Sequence, residues 1–269
     1  MAKKDQRWSA LLEMLADAGR VEVEEAAAAL EVSAATVRRD LDELAAQQML
    51  VRTRGGAVAH GVSYELPLRY KSARNAPEKQ RIAQAVAALV SAGDVVGLNG
   101  GTTTTEVARA LVLRHSEAPV SGEQHAPTGA PALTVVTNAL NIAGELAVRP
   151  QIKIVATGGV ARPQSYELVG PLTIGVLDEV VLDVTVLGVD GIDPDRGLLA
   201  HQEEEALISR LLAERAQRVV VAADATKVGR RAFARICPLE KVDVLVTDRS
   251  LDAAAHERLT DAGVTVQTV

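Results

Sequence analysis

Residues Asp94 to Leu111 read DVVGLNGGTTTTEVARAL: a hydrophobic run, a glycine turn, four consecutive threonines and a return to helical spacing. The short run bounded by turn residues predicts a β-strand, and EVARAL predicts a helix. Between them, two glycines let backbone amides approach an anion, threonine hydroxyls can donate, and a helix N-terminus favours negative charge. No Gly-Lys-Ser/Thr follows, so this is not a Walker loop, and the dinucleotide fingerprint GxGxxG is missing. Strand, turn and helix in this order are the unit from which α/β sheets are built. Whether the phosphate belongs to a substrate or to a signal is the question it raises.

Working outward, the runs DVVGLN, TVVTN, IKIVATGG, VTVLGVDG, RVVVAAD, DVLVTD and VTVQTV alternate with helical stretches such as KQRIAQAVAALV and QEEEALISRLLAERAQ. Such alternation predicts a mostly parallel sheet covered by helices, over residues 78–269. Ligands of such sheets collect at strand ends. Polar residues occur there repeatedly: Thr137 and Asn138, Gly158 and Gly159, Asp190 and Gly191, and Asp224 to Lys227. Between Arg114 and Ala132, SEAPVSGEQHAPTGAP has the composition of an exposed loop.

Residues 1–58 have a different pattern. RWSALLEMLADAG places Leu11, Leu12 and Leu15 at helical spacing and stops at Gly19, VEVEEAAAAL is short and alanine-rich, and VSAATVRRDLDELAAQ starts at Ser33, a good N-cap. LVRTRGGAVA alternates around a Gly-Gly turn, as a hairpin does. Residues 59–77 contain two prolines and no sustained period, and are read as a linker. The fold class expected is α/β: a small amino-terminal helical domain with a hairpin, then a larger, mostly parallel α/β domain.

Composition sets the outer limits. Apolar residues make up 48 % of the 269 and aromatics 2 %, so the cores are expected to be aliphatic. The single cysteine, Cys237, excludes an internal disulfide and a multi-cysteine zinc site, and reads as a buried hydrophobe. No h-region follows the amino terminus and the longest apolar runs are too short for a bilayer, so a soluble, cytoplasmic protein without a membrane partner is expected. A net charge of −6 argues against a protein coated in nucleic acid, although a local basic patch remains compatible with it.

The third helical segment carries such a patch. Val37, Leu41 and Leu44 form one apolar stripe, which puts Ala35, Thr36 and Arg39 opposite and Arg38 on a flank. The second helix of a helix-turn-helix reads base edges with its first residues, arginine pairs bidentately with guanine, and hydroxyls contact phosphate. Ser33, Thr36, Arg38 and Arg39 are therefore candidate DNA contacts, joined by Arg52 and Arg54 of the hairpin as a wing. Asp40, Asp42 and Glu43, one turn later, are expected to repel the DNA backbone, so only the first turn and a half should enter a groove.

At these residues the chain resembles a known family. VSAATVRRDLDELAAQQMLVRTRGGAVA is similar to the winged helix-turn-helix of DeoR-type bacterial repressors. EKQRIAQAVAALV, GGTTTTEVARAL, VVTN, the glycines of ATGG, GVDGID, the glutamates of EEEA and ADATKVG resemble that family's sugar-phosphate-sensing domain, which is related to ribose-5-phosphate isomerase. The resemblance implies that Gly100, Gly101, Thr102, Thr103 and Thr104 hold phosphate, that Asn138, Asp190 and Lys227 meet the sugar or its phosphate, and that Glu205 joins them. It also implies operator DNA as partner and a homo-oligomer, dimer or tetramer. The chain departs from many members at Asn99 and Gly100, where they carry an acid and a serine.

An isomerase remains the alternative. It needs a carboxylate base and a group that stabilises the enediolate oxygen. Asp190, Asp193 and Lys227 could supply these, but RGLLAHQEEEA stands where isomerases carry Lys-Gly-Gly-Gly. His201 reads as a solvated loop residue. Neither an HExxH metal motif nor a GxSxG elbow occurs. The expectation is a repressor of a sugar-metabolism operon released by a phosphorylated sugar, with no catalytic residues, metal or cofactor.

Overall fold

The computed structural model describes residues 4–47, 49–58, 75–116, 131–249 and 251–269. The chain divides into two compact units, Met1–Arg74 and Asn75–Val269. Most of the stretch read as a linker, 59–74, and most of the proline-containing loop, 117–130, lie outside the described residues.

The first unit runs α1 (Lys4–Ala18), β1 (Arg20–Glu22), α2 (Val23–Ala29), α3 (Ala34–Ala46), β2 (Val51–Arg52) and β3 (Gly56–Val58). Gly19, at φ +71°, ends α1 in the left-handed conformation that glycine tolerates. Leu11, Leu12 and Leu15 pack with Val37, Leu41 and Leu44 in a single core, all six fully buried. Between α2 and α3 the chain turns through Glu31 at φ +53°. Val32 N–H donates to the Ala27 carbonyl at 3.1 Å and Glu31 N–H to Ala28 at 3.4 Å, the bond pattern of a Schellman stop. Ser33 then caps α3, accepting from Thr36 N–H at 3.2 Å.

Two features depart from the sequence reading. Arg20–Glu22 is a strand, although Val21 and Glu22 were taken with the second helix, and the hairpin is thereby a three-stranded antiparallel sheet of order β1-β3-β2. A side chain on Gly56 would lie 1.7 Å from the Val21 carbonyl, so glycine is required for β1 to pair. Asp40, expected on the DNA side, is buried instead. It accepts from Arg7 Nε at 2.8 Å, Arg7 Nη2 at 3.2 Å and Trp8 Nε1 at 3.1 Å, pinning α3 to α1. Its acidity does not face a groove.

The second unit opens with α4 (Ala76–Ala88), so Ala76 and Pro77, read with the linker, begin a helix; proline suits that first turn because no N–H is needed there. There follow β4 (Val95–Leu98), α5 (Thr102–Ser116), β5 (Leu133–Thr137), α6 (Leu140–Leu146), β6 (Ile152–Ala156), β7 (Val160–Ala161), β8 (Leu168–Val169), α7 (Pro171–Asp178) and β9 (Leu182–Leu187). The chain closes with β10 (Gly191–Asp193), β11 (Gly197–Ala200), α8 (Glu203–Arg215), β12 (Ala216–Ala222), β13 (Ala234–Cys237), β14 (Val244–Thr247), α9 (Ala253–Asp261) and β15 (Thr265–Thr268).

All seven β-branched runs become strands of one sheet, of order β15-β14-β12-β9-β4-β5-β6, and every pairing is parallel. Alternate residues feed two cores: Val96, Leu98 and Val220 pack with α4, α5 and α6 on one face, while Leu182, Val219 and Val221 pack with α7, α8 and α9 on the other. From β4 the chain winds toward β6, and from β9 it winds the other way toward β15. The reversal falls between β4 and β9, and ligands of open α/β sheets bind outside the strand ends at such a switch point. Two small antiparallel sheets, β10-β11-β13 and β7-β8, flank these ends.

Candidate functional site

On α3 the structure leaves Ala35, Arg38 and Arg39 exposed while Val37, Asp40, Leu41 and Leu44 are buried. Arg38 reaches Glu24 of α2 at 3.1 Å; Arg39 makes no ion pair or hydrogen bond to a described residue. The Ser33 and Thr36 hydroxyls bond each other at 2.8 Å. Exposed surface pairs of this kind contribute little to stability, so breaking the Arg38–Glu24 pair costs a DNA ligand almost nothing. In the wing the two arginines differ. Arg52 is half-buried, pairs with Asp42 at 2.7 Å and bonds the Gly56 carbonyl across the hairpin, so it braces the wing. Arg54, at the tip, is exposed and bonds no described residue.

At the switch point the cradle expected from the sequence takes shape. Gly101, at φ +136°, turns β4 into α5, and Thr105 N–H closes the first helical bond onto the Gly101 carbonyl at 3.1 Å. The Thr104 and Thr105 hydroxyls both donate to that same carbonyl, at 3.1 and 2.7 Å, and Thr104 is fully buried. Of the four threonines, Thr102 and Thr103 keep hydroxyls bonded to no described residue. Together with the orphan amides of the helix start they are donors of the kind that suits an anion. Thr104 supports it from beneath and has only its amide to offer.

Asn99 holds the switch point closed. Its Nδ2 donates to the Gly188 carbonyl at 2.9 Å and the Ser209 hydroxyl at 3.0 Å, and its Oδ1 accepts from Gly188 N–H at 2.8 Å. The end of β4 is thus tied to the end of β9 and to α8. An aspartate here would have no donor for the Gly188 carbonyl.

The remaining predicted residues converge on the same strand ends. Asp190, just beyond β9, accepts from His201 N–H at 2.9 Å and lies 3.9 Å from both Lys227 Nζ and His201 Nε2. Asn138, beyond β5, is fully buried and donates from Nδ2 to Glu167 at 2.8 Å and to the Leu168 carbonyl at 3.2 Å. Glu205, in the first turn of α8, is buried and pairs with Arg162 at 3.4 Å. Asp193, the other carboxylate considered for acid–base work, caps its own turn. Burial pushes its pKa up, but the amides of Asp195 and Arg196 and the Arg196 guanidinium outweigh that and hold it low.

Glu167 and Arg162 were not singled out in the sequence. Both come from the β7–β8 hairpin. Burial, reinforced by the Glu205 carboxylate and by Asp190, pushes Glu167 up to about 8, although Asn138 and the Gly100 amide bond it. Among the described residues no helix is long and apolar enough to cross a membrane.

Comparison with known proteins decides the family. Residues 7–61 match the DeoR-like helix-turn-helix domain and residues 74–249 the DeoR C terminal sensor domain. The chain belongs to the DeoR family. The glycerol-3-phosphate regulon repressor of Escherichia coli is 33 % identical, over 96 % of this chain and 96 % of its own. The transcriptional regulator GlpR of Haloferax volcanii is 33 % identical over 97 % and 96 %, and the repressor GlcR of Bacillus subtilis 30 % over 97 % and 95 %. Among solved structures, ribose 5-phosphate isomerase A of Methanocaldococcus jannaschii matches with a TM-score of 0.41 at 20 % identity, covering 57 % of this chain and 55 % of its own. This DeoR-family chain is a DNA-binding transcriptional regulator and not an enzyme.

Proposed function

We propose that the protein represses a sugar-metabolism operon and is released from its operator by a phosphorylated sugar or related phosphate ester. The functional division is residues 1–58 for DNA, 59–77 as linker and 78–269 for sensing. The start of α3 reads the major groove, with Arg38 and Arg39 on base edges and Ser33 and Thr36 on phosphate, while Arg54 contacts the backbone from the wing that Arg52 braces. The effector lies at the β4–β9 switch point, its phosphate on Gly100 to Thr104 and its polar body toward Asn138, Asp190, Glu205 and Lys227. Paired operator half-sites call for paired helices, so the working form is a cytoplasmic dimer or tetramer.

The observation that carries this reading is the cradle itself. A helix start with two uncommitted hydroxyls stands at the switch point of a chain that also carries a winged helix-turn-helix. The E. coli relative, named for a glycerol-3-phosphate regulon, supports a phosphate ester as effector. Release follows if the ligand binds the DNA-competent state less well than the other, because only differential affinity shifts such a balance.

A thermal-shift screen of phosphorylated sugars and polyols identifies the effector, since a ligand of the folded state raises its apparent stability. Arg39→Ala should weaken operator binding by about 1–3 kcal/mol, the cost of a lost base contact, and leave the effector's thermal shift unchanged. Thr103→Ala should do the reverse. Unaltered DNA affinity in the first variant, or an undiminished effector response in the second, sinks the corresponding assignment.

A further inference from the structure

The cradle is not open in the structure. One of the groups read as an effector donor, Asn138 Nδ2, donates to the carboxyl group of Glu167 at 2.8 Å, and another, Gly100, lies directly against the same side chain. The fit is close: a side chain on Gly100 would lie 2.3 Å from Glu167 Cγ and 2.5 Å from its carboxyl carbon. Glu167 is 5 % exposed. We propose that Glu167 is a built-in occupant of the anion site, an internal stand-in for the effector that must swing away before a phosphate ester can use Gly100 and Asn138. This rests on the strand-end cleft being the effector site.

The backbone around Glu167 is pinned, so the moving part is the side chain. Leu168 N–H donates to the Asn138 carbonyl at 2.7 Å, Leu140 N–H to Tyr166 at 2.9 Å, and Arg162 N–H to the Glu167 carbonyl at 2.8 Å. Tyr166 sits at φ +60°, a left-handed conformation costly for a residue with a Cβ, and directs the next side chain into the cleft. The contact would set a threshold. A ligand has to supply more than the carboxyl group it displaces, which favours a phosphate with its extra oxygens and charge over a neutral sugar.

The charge state of the occupant matters too. The groups facing Glu167 are Glu205 from α8 and Asp190 beyond β9, while Arg162 pairs with Glu205, and Lys227 and His201 lie beside Asp190. With two acids near it and burial raising its pKa to about 8, Glu167 favours its un-ionised form at mildly acidic pH. Above pH 8 it gains a charge that both strengthens its hold on the donors and repels phosphate.

Isothermal titration of the full chain with inorganic phosphate, glycerol 3-phosphate and hexose phosphates tests this. Glu167→Ala should bind the best of these probes about tenfold more tightly than the wild type, the scale of one hydrogen bond to a charged group. Glu167→Gln, close in shape and never charged, should match the wild type at pH 6.5 and bind more tightly at pH 9. Equal or weaker binding by Glu167→Ala, or equal pH dependence in Glu167→Gln, overturns the stand-in and leaves the effector site intact. If the wild type and both variants bind none of the probes, the effector reading itself fails, and the stand-in with it.

Discussion

Replacing Asp40 with alanine should loosen the recognition helix without touching a DNA contact. The carboxylate takes two bonds from Arg7 and one from the Trp8 indole while 3 % exposed, and its hydrogen bond to Arg7, against burial, holds that guanidinium's pKa up. Removing one partner of a buried ion pair costs about 3–5 kcal/mol. The Arg7 side chain keeps 15 % exposure and can be partly rehydrated, which places the cost at the lower end, about 3 kcal/mol. For a domain of this size each kcal/mol moves the melting temperature by roughly 4–8 °C, so a fall of roughly 12–24 °C is expected. Asp40→Asn, which keeps an acceptor for the indole and loses the charge, should fall by less. Trp8 is the chain's only tryptophan and is itself bonded to Asp40, so its emission in a urea or heat ramp reports this unit directly. Operator affinity should fall with the stability of the unit. A Trp8 transition in Asp40→Ala that coincides with the wild type would show that the bonds around Asp40 do not dock α3.

Three other outcomes follow from the same kind of reasoning. Asn99→Asp removes the donors to the Gly188 carbonyl and Ser209 and faces that carbonyl with a carboxylate, so the second unit should lose about 2–3 kcal/mol in urea unfolding; an unchanged midpoint would contradict the clamp. Glu31→Gly relieves a left-handed residue worth about 1–2 kcal/mol and adds glycine's entropic cost of about 0.5–1 kcal/mol, so the first unit should gain roughly 0.5–1 kcal/mol by the same Trp8 readout. Glu167 rises from 4.5 to about 8 on folding, so its contribution is full below pH 4.5 and is lost as pH climbs toward 8; melting curves should show the wild type losing stability relative to Glu167→Gln across that window, and parallel curves would refute the buried acid.

The large features of the fold were legible because they repeat a period. Each of the seven parallel strands lies in a β-branched run, mostly buried in the central strands β9 and β12, and the stripe of Val37, Leu41 and Leu44 marks the inner face of α3. β1, the β7–β8 hairpin and the small β10-β11-β13 sheet have strands two to four residues long and hold no run of β-branched residues, so they were invisible until their partners were in place. Asp40 had a positional signal that its charge concealed: it lies three residues after Val37 and four before Leu44, on the buried stripe itself. Its partners on α1 could not be named from spacing.

The site divides along the same line. The candidate cradle is local, a strand, two glycines and a helix start within one stretch of chain, so its backbone geometry could be read as written. The division of labour among its threonines could not, because only the structure shows the Thr104 and Thr105 hydroxyls bonded to Gly101. Glu167 lay beyond reach altogether. It meets Gly100, Asn138 and Glu205 at two different strand ends and a helix, neighbours of a kind no local pattern encodes. In the wing, the alternation around Gly55 and Gly56 located both arginines but did not separate Arg52, tied to Asp42, from the uncommitted Arg54.

The most direct test of repression relieved by a phosphate ester is fluorescence anisotropy of a labelled operator, recovered by selection from random duplexes, titrated with the protein at fixed salt with and without the ester found by thermal shift. The expected result is tight binding to the ester-free protein and an affinity at least tenfold weaker at saturating ester. An operator affinity that the ester leaves unchanged would contradict it.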